Sequence, residues 1–162
     1  MIHLNQRTQL FAAGVAGTAA MMAVSKAVGS PVMADLQELA GTAAAPRGSR
    51  AANTVGVTMQ LVNGGLFAQV YGAAMDALQP RSAWVASCAG ATLGALHGVL
   101  AGAMLGAVPA LHPRVPEQVL APRAFLLRRG VPAALALVAL HALYGTVVGE
   151  VAAKRHNPAG AA

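Results

Sequence analysis

The sequence predicts an all-α integral membrane protein: a four-helix bundle with tight glycine-mediated helix packing, forming a single membrane domain over 1–162. Three observations carry this prediction. Hydrophobic residues make up 56% of the chain and charged residues 10%, against roughly 25% charged in a soluble domain. Four stretches, 10–28, 53–77, 83–108 and 131–153, are long and apolar enough to cross a bilayer, which takes about 20 residues. Glycine recurs at every fourth position through "GATLGALHGVLAGAMLG", residues 90–106.

The first run follows Arg7 and ends in "VSKAVGSP". It is long for the apolar core of a signal peptide and lacks a small-x-small cleavage site, so a span is expected rather than a leader. The connection 29–52 contains "PVMADLQELAG", with an early proline, an acidic first turn and a closing glycine. That pattern predicts a short helix over 31–41 with Asp35 and Glu38 on its polar side. "LQPRS", 78–82, is a tight hairpin between the second and third runs. The connection 109–130 holds "PEQVLAPRAFLLRRG", whose mixture of Leu, Phe and Arg suits a membrane interface, with Pro122 as a break. Basic residues near the run ends favour one side. The long connections carry Lys26, Arg47, Arg50, Arg114, Arg123, Arg128 and Arg129, and the other side Arg7, Arg81, Lys154 and Arg155. The positive-inside rule then puts the long loops in the cytoplasm and both termini outside.

In water, a glycine in a helix costs about 1 kcal/mol relative to alanine. In lipid, leucine against leucine gains nothing over leucine against acyl chains, and helices associate where small residues let backbones approach. Gly90, Gly94, Gly98, Gly102 and Gly106 form such a groove. It drifts about 40° per step and suits a right-handed crossing. Shorter versions are Gly56, Gly64, Ala68 and Gly72 in the second run, Gly145 and Gly149 in the fourth, and Gly14 with Thr18 in the first. The partner is another helix of the chain or another subunit.

Each run also places a polar group near mid-depth: Thr18, then Gln60 and Asn63, then His97, then His141 with Tyr144 close by. Polar residues inside a membrane face protein or a cavity. Three readings follow. The first is an interhelical hydrogen-bond cluster. The second is haem b ligated axially by His97 and His141, with Gly94 and Gly145 clearing room for the macrocycle. The third is a small-ligand or proton site built on histidine chemistry. Asp76 and Glu150 lie near run ends, where Asp76 can pair with Arg81 and Glu150 can meet headgroups beside Lys154. Trp84 and Tyr71 also sit near run ends, as belt anchors do.

The remaining chemistry is sparse. Cys88 is the only cysteine and reads as a small buried residue. His112 precedes Pro113 and stands five residues before Glu117, a spacing that matches no metal site, so no metal ligand set is expected. His3 and His156 lie in the tails. There is no nucleophile–base–acid set, no phosphate loop and no dinucleotide fingerprint. An enzyme is not expected. The +6 net charge is spread between apolar runs rather than gathered in a patch, which points to lipid headgroups and not to nucleic acid.

"GTAAMM" (17–22), "HPRVPEQVLAP" (112–122) and "HALYGTVVG" (141–149) together resemble small uncharacterised four-helix inner-membrane proteins of bacteria. The resemblance implies a bacterial inner membrane and carries no activity or site residue with it. The expectation from these readings is a non-catalytic accessory or structural subunit of a larger membrane complex. Its alternatives are a small homo-oligomeric channel or transporter and a haem b electron-transfer protein.

Overall fold

The computed structural model describes residues 2–107 and 124–156, with side chains over 6–107 and 124–154. Among these residues it is all-helical, without a strand. The helices are α1 (Ile2–Ala27), α2 (Val32–Thr42), α3 (Arg50–Leu78), α4 (Ala83–Met104) and α5 (Val131–His156), with a short 3-10 segment, Ala124–Arg129, before α5. Three helices are long and apolar enough to cross a membrane: Gln6–Ala27, Ala83–Met104 and Val131–Lys154. α3 has 29 residues and therefore the length, but Asn53, Gln60, Asn63 and Gln69 make it more polar, and it is not among the three.

Local signals explain the helix ends. Ser49 and Ser82 cap α3 and α4, their side chains accepting from the backbone N–H of Ala52 and Val85, the usual way a first turn satisfies a free donor. Gln79 ends α3 in left-handed backbone, φ 43°, its N–H returning to the Met75 carbonyl, and Pro80 then prevents the helix from resuming. The short helix expected over 31–41 is α2. "PEQVLAP" lies outside the described residues. The Arg-rich end of that interfacial stretch is the 3-10 segment, in which Phe125 and Leu126 take left-handed backbone (φ 58° and 55°).

α4 packs chiefly on α5, α1 lies against both α3 and α5, and α2 covers α3. The α4–α5 contact follows the glycines. A Cβ added at Gly90 would fall on the Gly145 carbonyl oxygen, at Gly94 on that of His141, and at Gly98 2.9 Å from Val138 Cα. Gly102 faces the Phe125 ring, and Gly106 lies near Ala124 beyond the helix end. On α5, Gly145 and Gly149 meet the backbones of Gly90 and Ala86. The α1–α3 crossing is as close, with Gly64 against Thr18 and Gly14. Gly72 is buried and borders a surface hollow shared with Arg7, Phe11 and Asp76. The shared core centres on α5, where Leu137 and Val148 are fully buried beside Met75 of α3 and Met21 of α1. Outward faces are apolar: Trp84, Leu100, Met104 and Leu135 are each at least 65% exposed. Cys88 also faces outward, correcting its reading as a buried residue. α5 covers the glycine side of α4, and Cys88 stands off that stripe.

Polar contacts tie the two long connections together. Arg129 Nε and Nη2 donate to Asp35 Oδ2 and Oδ1 at 2.9 and 2.8 Å, so α2 and the segment before α5 meet at one end of the bundle. Arg47, in the connection after α2, pairs with Glu38 of that helix. The Arg129–Asp35 bridge is partly exposed, and such pairs contribute at most about 1 kcal/mol. Asp35→Asn is therefore expected to lower the thermal midpoint slightly at low salt. The difference should shrink at ~1 M salt, where charges are screened within about 3 Å. A drop that persists in high salt would show that Asp35 acts by packing.

Candidate functional site: a polar cavity between the helices

The six polar residues singled out in the sequence converge. Thr18 of α1, Gln60 and Asn63 of α3, His97 of α4, and His141 and Tyr144 of α5 all line one cavity of about 180 Å³. The reason is geometric. Each lies on, or one step from, its helix's small-residue stripe, and those stripes are where the helices meet.

Most of the hydrogen-bonding capacity on the α1 and α5 walls is directed into the protein. Thr18 Oγ1 donates to the Gly14 carbonyl at 3.0 Å. Tyr144 Oη donates to the Gly64 carbonyl, joining α5 to α3. His141 Nδ1 lies 2.8 Å from the Leu137 carbonyl. A carbonyl only accepts, so Nδ1 carries the proton, and in the neutral ring Nε2 has the free lone pair. On the other wall His97 Nδ1 is 3.2 Å from Tyr71 Oη, and its ring centroid lies 4.3 Å from that of Phe67, the planes tilted by 40°. Gln60 is half-buried and Asn63 exposed. Neither makes a side-chain hydrogen bond to a described residue.

His97 and His141 do meet, edge to face, with ring centroids 4.9 Å apart and planes at 74°. The rings stand closer than the haem reading requires. Axial imidazole nitrogens across an iron stand about 4 Å apart, by ordinary metal–imidazole lengths, which sets the ring centroids near 6 Å. The rings here touch, leaving no gap for an iron. Gly94 and Gly145 do not clear a slot for a macrocycle either, since each is filled by the backbone of the facing helix.

Tyr71 was missed as a site residue. It is 5% exposed, contacts both His97 and Tyr144, and is no belt anchor. The signal was available: Gly64, Ala68, Tyr71, Gly72 and Met75 repeat at helical spacing and are all buried on one face of α3. Trp84, 76% exposed at the start of α4, keeps an anchor's placement. Glu150 accepts from Ser87 of α4 at 3.2 Å. His112 and Glu117 lie outside the described residues.

Compared with known proteins, the chain matches no family model, no curated protein and no solved structure.

Proposed function

We propose that the chain is a four-span protein of a bacterial inner membrane, its long connections on the cytoplasmic side, serving as a non-catalytic subunit of a larger membrane assembly. The observation that carries this is the outer face of α3. Thr58 and Asn63 are exposed near the middle of that helix, beside Met59, Val62, Leu66 and Phe67. Lipid cannot satisfy an amide at mid-depth, so such a side chain faces protein or a water-filled cavity. The glycine stripe of α4 is occupied by α5 of the same chain, so the partner surface belongs on α3. In this reading α4 and α5 form a glycine-packed pair facing lipid on their outer sides, and α3, packed on α1 and α2, presents the partner surface.

Photo-crosslinking in native membranes tests it. A crosslinker at Leu66, on α3, is expected to give one discrete protein adduct. The same group at Leu100 or Leu135, on the outer faces of α4 and α5, should give lipid adducts only. An adduct with the mass of two copies would make the assembly a homo-oligomer, the arrangement a channel needs, and would replace the subunit reading. Lipid adducts alone from Leu66 would remove both.

A further inference from the structure

The cavity carries a second inference, independent of any partner on α3. We propose that it binds the ring of a lipid-soluble phenol, whose hydroxyl donates to His141 Nε2. Four observations lead there. His141 is 9% exposed, its Nδ1 proton is committed to the Leu137 carbonyl, and Nε2, at the far edge of the ring, has no partner among the described residues. The neighbouring hydroxyls of Thr18 and Tyr144 have likewise spent their protons on backbone carbonyls. The inner wall therefore offers lone pairs, and what complements lone pairs is an O–H donor.

Size and access narrow the class. An apolar cavity of roughly 150 Å³ accepts benzene, and this one has about 180 Å³, enough for one six-membered ring. Met21, Leu137 and Ala101 supply apolar contact around it. The half-buried amide of Gln60 can donate to the phenolic oxygen. The exposed residues of its lining are Asn63 and Phe67 of α3, the latter against His97 of α4. α3 and α4 touch little, although a short hairpin joins them. On the α4 side Leu96 and Leu100, next to the lining residues His97 and Ala101, are more than half exposed. A ligand entering there comes from the lipid phase and can leave an alkyl tail in it. A charged or strongly polar solute has no such route.

The test uses the purified full chain in detergent micelles, with 4-heptylphenol as probe and heptylbenzene as its hydroxyl-free counterpart. Imidazole nitrogen resonances are followed in histidine-labelled protein. Saturable binding of 4-heptylphenol with a shift of the His141 Nε2 signal is expected, at least about tenfold tighter than heptylbenzene, because a site whose buried polar group needs a hydrogen bond rejects the analogue lacking it. His141→Phe keeps a ring in place without the lone pair and should weaken the phenol about tenfold while leaving heptylbenzene unchanged. Ala101→Phe, at a half-buried position on the cavity wall, leaves His141 intact and should exclude both compounds. Equal binding of the two probes would overturn the proposal. So would an unmoved Nε2 signal at saturation, which places the bound phenol away from His141, or phenol binding that survives Ala101→Phe.

Discussion

Gly145→Leu is expected to disrupt the α4–α5 pair and destabilise the protein by about 3 kcal/mol or more, at the upper end of what overpacking costs. The site has no slack in either direction. A Cβ there would meet the Gly90 carbonyl on one side and lie 3.0 Å from Gly94 Cα on the other, so the obstacle is backbone and not a side chain that can swing away. Because α4 packs chiefly on α5, moving them apart also separates His97 from His141. The loss should appear as a large fall in the denaturant midpoint of the protein in micelles. Gly106→Ala is the matched control. Its added Cβ would come no closer than 3.3 Å, to the Ala103 carbonyl and the Ala124 side chain, and it lies beyond the end of α4. Its effect should stay within about 0.5 kcal/mol, the usual range for a surface substitution. Comparable losses from both would mean that the loss at 145 does not come from close approach to the Gly90 backbone.

The five-glycine run shows how far a sequence reaches here. Spacing alone said that one face of α4 is flat, but not whose backbone lies on it, because a groove made by absent side chains carries no complementary pattern. The pairing of Gly90 with Gly145 follows only once the helices are placed. The same holds for Gly41 and Gly56, where added Cβ atoms would strike the carbonyls of Ala52 and Gln37 and which mark the α2–α3 crossing. Mid-depth polarity was more legible. A polar side chain in an apolar run has few places to go, so Thr18, Asn63, His97 and His141 could be grouped before any contact was known. The contact between the two histidines was not legible. Histidine spacing does not say whether two imidazoles stand apart or touch, and here they touch. Tyr71 was misassigned because position near a run end outweighed its place on the buried stripe of α3. α3 itself shows the limit of composition, since its length and its small residues match those of a span while its amides do not.

Tyr144 gives the second large effect, and two substitutions separate its roles. The ring is 2% exposed, sits edge-on to Tyr71 at 5.3 Å and fills the space left by Gly17 of α1. Its hydroxyl donates to the Gly64 carbonyl of α3. One side chain of α5 thereby touches α1 and α3 together. Removing a buried aromatic costs about 3–5 kcal/mol in a water-soluble core, part of it transfer to water and part the cavity left behind. Between apolar phases the transfer part falls away, so Tyr144→Ala is expected near the lower limit, about 3 kcal/mol. Tyr144→Phe keeps the ring and deletes one hydrogen bond to a carbonyl that is also part of the α3 ladder. Interhelical hydrogen bonds in membranes average about 0.6 kcal/mol, and the loss should be of that order. Unfolding of both variants in micelles, read by circular dichroism, decides between packing and hydrogen bonding. The expected order is a large loss for Ala and a small one for Phe. If Phe is as damaging as Ala, the hydroxyl bond to Gly64 holds α5 to α3, and the ring is filler.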